Sequence, residues 1–341
     1  MTEQMTRRER VAAAMRGEQV DRVPQSFFGH NRNAERTAEG NAAHLLRRAE
    51  QFKWDFIKVN LASSYYGEAW GGEYRWDEQR SPVEGLLVVK PVLETVEDFR
   101  SLPVLQPGNA VIQEQLQVTR LLHENGKGEI PLSHTIFCPL TIAGFLAGSV
   151  ARTAGEVHPV RDVMRQHPEA LHNTLRAITE SMIAQAREAM RVGADGVFMT
   201  NTTWTRDAVT EEEYLTFGAP YDRAIFQAAL DEGATFNVMH MCRENIMFNI
   251  LSDYPAHVLS YDSLNPRNPS LDEASVKTMK TLWAGIGTKT LLNGPEEAIR
   301  NEVTEALAQT GGKRFLLGPG CSISYKVPDR HLQVITEELS K

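Results

Sequence analysis

The chain has 341 residues, 42% of them hydrophobic and 23% charged, with a formal net charge of −8. These are the proportions of an ordinary globular protein able to bury a large core. An acidic balance without a basic stripe excludes a nucleic-acid footprint, and no run approaches the ~18 apolar residues of a membrane-spanning helix.

The N-terminal stretch Met1–Arg10 is polar and carries both signs of charge, unlike the apolar core of a secretory leader. Three cysteines are too few, and odd in number, for a disulfide framework. The expectation is a cytoplasmic protein without membrane or nucleic-acid partners.

In chain order, Thr6-Arg7-Arg8-Glu9 reads as a capping box that opens a first helix, which Gly17 stops. Extended segments are predicted over 22–28 and 56–61, the second being β-branched and aromatic. Residues 68–80, rich in glycine and aromatics, read as a loop or hairpin insertion, with 88–92 adding a strand to it. A regular alternation follows. Helices are predicted over 95–102, 110–125, 139–146 and 161–191, the last as one or two pieces. Further helices are predicted over 211–232, 244–253, 271–279, 295–309 and 329–340. Strands are predicted over 130–137, 196–201, 235–242, 258–261, 282–287 and 315–317. Eight strands alternating with helices imply a parallel sheet closed into an α/β, TIM-like (β/α)8 barrel. An open doubly wound sheet is the other arrangement compatible with alternation, but no G-x-G-x-x-G or P-loop supports it.

Residues two apart on a strand share a side, so His240 and Cys242 face one point while Met241 turns away. Both end the fifth predicted strand, and Cys321, in Gly318-Pro319-Gly320-Cys321, follows the eighth. Barrel chemistry gathers at the C-terminal strand ends. An imidazole and two thiolates form a zinc donor set that leaves a fourth position open. His240, Cys242 and Cys321 are therefore candidate Zn2+ ligands and catalytic residues. The other reading is a pair of inert core thiols beside a satisfied histidine.

These residues, with Thr6–Val11, Asp21-Arg22-Val23-Pro24 and Gly193-Ala194-Asp195-Gly196, make the chain resemble the uroporphyrinogen decarboxylase superfamily. The His-x-Cys…Cys set resembles its zinc-dependent cobalamin:thiol methyltransferase branch, of the coenzyme M type. The resemblance implies one barrel domain over residues 1–341. It also implies methyl transfer between a corrinoid such as methylcobalamin and a zinc-bound thiol or a methylated small molecule. The chain has no Asp-x-His-x-x-Gly signature, so a corrinoid would come from solution or from a separate corrinoid protein. A tetrapyrrole decarboxylase is the alternative activity. Asn60 ends the second strand where that enzyme would want an acid, and the chain offers few mouth arginines. A third reading is a corrinoid carrier with structural zinc.

Other rim residues have two readings each. Asp262 is an extra zinc ligand, the group that orients His240 through its second nitrogen, or a turn-capping carboxylate. Asn201 and Trp204 follow the fourth strand, where Trp204 packs on a corrin or in the core. Asn60 is a candidate to hydrogen-bond substrate or cofactor at the end of the second strand. His30 and His134 read as satisfied polar residues, Cys138 as a buried small hydrophobe, and Tyr65, Tyr66 and Trp70 as loop packing or a lid. Glu244 and Asn245 read as the opening of a helix.

Overall fold

The computed structural model describes residues 4–62, 64–76, 86–149, 159–202 and 204–341. Its strands are β1 (Ile57–Val59), β2 (Glu73–Trp76), β3 (Leu86–Lys90), β4 (Leu132–Phe137), β5 (Gly196–Asn201), β6 (Val238–Met241), β7 (Val258–Tyr261), β8 (Thr281–Ile286) and β9 (Phe315–Pro319). Seven of them form one parallel sheet in the order β1-β4-β5-β6-β7-β8-β9. β2 and β3 form a separate antiparallel hairpin after β1, where the insertion was expected. Residues 77–80 of that expected loop lie outside the described residues.

The segment predicted as the first strand forms no ladder. It makes a single parallel bridge, Gln25 to Leu317, and yet it joins the two sheet edges. Ser26 N donates to Leu317 O at 3.1 Å and Leu317 N to Pro24 O at 2.8 Å, while Asp55 N, just before β1, donates to Gln25 O at 2.8 Å. Pro24 lacks an N–H, which limits the ladder on that stave. The result is a TIM-like α/β barrel of seven strands and one stitched stave.

Alternation sorts the strand residues. Phe56, Phe198, Val238, Val258, Trp283 and Leu316 fill the lumen with Phe28 and Phe236, and Val11 and Ala14 of helix Arg7–Arg16 close it from below. The aromatic rings lock face to edge: Phe56 lies 4.7 Å from Trp283 and 5.1 Å from Phe236 between centroids. The opposite strand faces join the helices in a second, larger apolar layer.

The first helix is built as its sequence predicts. Thr6 and Glu9 exchange capping bonds, and Gly17, at φ 77°, ends the helix in the left-handed region. Helix Ala38–Gln51, capped by Thr37, occupies a stretch for which no element was predicted, and two other expectations change. The helix predicted over 211–232 breaks at Gly218 into Glu211–Phe217 and Ala219–Asp231. The helix predicted over 244–253 reduces to Phe248–Leu251. Arg243 and Asn245, at φ 75° and 53°, cannot sit in a right-handed helix. Glu244 and Asn245 thus open no helix; they pair with Arg267 and Asp207 across the rim.

The floor explains the N-terminal motifs. Asp55 is fully buried and accepts from Arg10 Nη1 at 2.7 Å, Arg22 Nη1 at 2.7 Å and Gln25 N at 2.9 Å. Arg8 reaches Asp195 at 2.6 Å. Asp21, below its ordinary carboxylate range at about 2, owes that to the Arg10 guanidinium. No helix of the described residues is long and apolar enough to cross a membrane.

Candidate metal centre

His240 lies on β6, in register with Thr200 of β5 and Ser260 of β7. Parallel neighbours in register present side chains to the same face, so the Ser260 hydroxyl reaches His240 Nδ1 at 3.0 Å. The ring stacks on Phe198 at 5.4 Å and meets the edge of Phe28 at 5.6 Å. His240 Nε2 is buried and has no hydrogen-bond partner among the described residues. An imidazole that donates from Nδ1 presents a lone pair at Nε2.

Cys242 is set one residue beyond β6 by its N–H, which donates to Asn201 O at 3.0 Å. Cys321 follows β9, where Gly320 N donates to Ile286 O at 2.9 Å. The glycines of Gly318-Pro319-Gly320-Cys321 have steric causes. A Cβ on Gly318 would fall inside the Trp283 indole, and one on Gly320 would sit 2.8 Å from Asp262 Cγ. Cys321 therefore swings over the lumen, with its sulfur 3.3 Å from that of Cys242.

The ligand atoms of His240, Cys242 and Cys321 all lie within 4.8 Å of one another, the one such His/Cys/Asp/Glu group among the described residues. Zinc bonds of ~2.3 Å to sulfur in a tetrahedron separate two sulfurs by about 3.8 Å. The pair needs to open by only about half an ångström to take the ion. The orphaned Nε2 and the two adjacent thiols fit zinc. The Cys242 sulfur, then burial, push the Cys321 thiol up.

Asp262 stands outside the ligand group. Its Oδ1 accepts from Leu264 N at 3.2 Å as a turn cap, and Ser260 rather than Asp262 orients His240. Asn201 donates Nδ2 to Trp204 O and accepts Trp204 N at Oδ1, so it shapes the loop. Trp204 is 1% exposed and packs in the helix-side core, not as an open face for a corrin. Asn60 donates to Gly29 O and accepts from Lys58 Nζ. Asn60, Asn201 and Trp204, expected at a cofactor, thus direct these groups at the protein.

His134 is bonded to Thr119 and Gln185; burial, then the Lys58 charge, hold it near 3 and hence neutral. His30 pairs with Glu35 at 3.0 Å. Tyr65 and Tyr66 are buried on helix Tyr65–Ala69.

Three contributors escaped the sequence reading. Ser260 is one. Asn268 is the second, donating to both Arg243 O and Asp262 O and so tying the loops after β6 and β7. Lys58, 6% exposed, is the third. Its ammonium stands 5.5 Å and 5.3 Å from the ring centroids of Phe28 and Phe198, the rings that flank His240. The signal available for Lys58 is the two-residue step from Phe56, which puts both in the lumen.

The uroporphyrinogen decarboxylase (URO-D) family pattern matches residues 6–341. The chain belongs to the uroporphyrinogen decarboxylase family. Within it, the chain is 23% identical to the methylcobamide:CoM methyltransferase MtbA of Methanosarcina acetivorans, over 99% of this chain and 98% of that protein. It is 24% identical to the uroporphyrinogen decarboxylase of Carboxydothermus hydrogenoformans over 74% of this chain and 70% of that one. A solved methyltransferase from Methanosarcina mazei superposes with a TM-score of 0.79 at 19% identity, covering 98% of each chain, and shares the fold. The likeness that runs end to end is to the coenzyme M-type methyltransferase branch, as the His-x-Cys…Cys set implied.

Proposed function

We propose that this family member is a zinc-dependent methyltransferase that moves a methyl group between a corrinoid and a thiol, with His240, Cys242 and Cys321 holding the ion. The observation that carries the reading is the cluster of one imidazole and two thiols within 4.8 Å at the C-terminal barrel rim. The full-length likeness to a methylcobamide:CoM methyltransferase supports it.

Zinc held there supplies the positive charge that turns an incoming thiol into a thiolate at neutral pH. The protein's own groups prepare that site. Ser260 accepts from His240 Nδ1 and fixes the tautomer whose Nε2 lone pair can ligate. Cys242 and Cys321 provide two anionic sulfurs, which keep a third sulfur electron-rich and nucleophilic. Phe28 and Phe198 shield the imidazole from water, and Lys58 on the same rings offsets negative charge. In the transfer, the S–H proton leaves to solvent and a C–S bond forms as the carbon–cobalt bond breaks. The electron pair of that bond stays on cobalt. The reverse direction, from a methylated small molecule to the corrinoid, uses the same groups. The corrinoid is a substrate, presented by a separate protein or taken from solution.

A tetrapyrrole decarboxylase needs cations at the mouth for substrate carboxylates. Arg32 and Arg36 follow the N-terminal segment that would carry them, and Arg32 lies over the Trp76 ring at 4.4 Å, while Arg10 and Arg22 are committed to Asp55 at the floor. The deciding experiment follows methylcobalamin absorbance with a panel of thiols, before and after chelation. Loss of methylcobalamin that needs both thiol and zinc is expected. No turnover with any thiol, or turnover indifferent to zinc, contradicts the reading.

A further inference from the structure

Behind Cys242, on the outer side of the strand ends, lies a buried carboxylate with no place in the chemistry above. Asp222, on helix Ala219–Asp231, is 0% exposed. Its Oδ2 accepts from the Tyr214 hydroxyl at 2.7 Å and the Tyr254 hydroxyl at 2.8 Å, and the Cys138 thiol is its third polar neighbour. The Tyr214 oxygen in turn accepts from Asn201 Nδ2 at 3.3 Å. The carbonyl of Asn201 accepts the N–H of Cys242 at 3.0 Å. Three consecutive hydrogen bonds thus run from Asp222 to the backbone of a candidate metal ligand.

The direction of those bonds is fixed by Asp222. An ionised carboxylate only accepts, so both phenol protons point at it. The Tyr214 oxygen is then left as an acceptor toward Asn201 Nδ2, which matches the amide orientation that the Trp204 backbone also holds, Oδ1 accepting Trp204 N at 3.0 Å and Nδ2 donating to Trp204 O at 2.9 Å. Remove the carboxylate and the Tyr214 proton can turn toward Asn201 Nδ2, donor against donor, which displaces the Asn201 side chain from Tyr214. Burying a carboxylate is costly, and packing gives no reason for one at this helix position.

We propose that Asp222 is a positioning residue for the metal centre: through Tyr214 and Asn201 it sets where the Cys242 sulfur stands. This role rests on the metal-binding reading of His240, Cys242 and Cys321.

Cobalt(II) titration of the full-length protein tests it, read by sulfur-to-cobalt absorption. Asp222→Ala should weaken cobalt(II) binding about 10–100-fold, the range for outer-shell partners of metal ligands, and change the absorption envelope. Asp222→Asn keeps an acceptor oxygen for both phenols and should return affinity to within about threefold of wild type. Tyr214→Phe, which removes the hydroxyl that joins Asp222 to Asn201, should weaken binding as Asp222→Ala does and carries the test if the alanine variant does not fold. Wild-type affinity and spectrum in a folded Asp222→Ala or in Tyr214→Phe would overturn the role of Asp222 alone. A wild-type protein that takes up no cobalt(II) would overturn the metal reading, and this role with it.

Discussion

His240 is useful because its two nitrogens are set differently: Nδ1 meets Ser260, while Nε2 is buried without a hydrogen-bond partner in a ring that groups with two thiols. Ser260→Ala frees the ring to rotate and to change tautomer, so zinc affinity should drop about tenfold while the fold is kept. Competition with a chromogenic chelator measures this, and unchanged affinity would show that the hydroxyl does not orient the ring. Asp222 gives a second residue-scale prediction. Burial raises its carboxyl from 3.8 to about 6, against the smaller opposing effects of Tyr214, Tyr254, Cys138 and Arg223. A raised folded value means that the folded state holds the proton more tightly. The stabilisation is complete below about pH 4 and is lost as pH rises through about 6, an effect of roughly 3 kcal/mol. Asp222→Asn should remove that slope. Urea midpoints of both proteins between pH 4 and 7.5 test it, and parallel curves would contradict it.

At the scale of elements, the two rim turns do different work. The turn after β9 depends on missing side chains. Gly318→Ala drives a methyl into Trp283 and against Ser26 O, and should cost about 1–3 kcal/mol or more. It should also lower metal content by moving Cys321. Denaturation midpoint and bound zinc, measured together, check it; a variant as stable and as metal-rich as wild type would show that the strand end tolerates a side chain. The turn after β6 is held by Asn268 and passes through left-handed Arg243. This contrast decides what could be read from the sequence. Cys321 was legible because its glycines mark a turn, and His240 and Cys242 because period two needs only local geometry. The Glu244–Asn245 turn was not legible, since its acid-amide pattern suits a helix start and only contacts with Arg267 and Asp207 show otherwise. Ser260 belongs to the same class, as does the role of Lys58, although its place in the lumen follows from Phe56 two residues before. Their roles depend on which strand lies alongside, and no local pattern carries register.

For the whole molecule, the alternation of strands and helices gave the barrel correctly, yet the closing stave is bound by a few bonds rather than a ladder. Closure draws on the floor, where Asp55 holds Arg10, Arg22 and Gln25 together. Asp55→Ala leaves two guanidinium groups without their buried partner and should destabilise by about 3–5 kcal/mol. Urea unfolding measures it, and a loss below about 1 kcal/mol would mean that the stave is held by packing alone.

One ion sharing the rim with three side chains is what the proposed chemistry requires. X-ray absorption at the zinc edge of the loaded protein reads those neighbours directly. It should show two sulfur scatterers near 2.3 Å and nitrogen near 2.0 Å, with a third sulfur when a substrate thiol is added. A shell of nitrogen and oxygen alone, or one unchanged by Cys321→Ser, would contradict it.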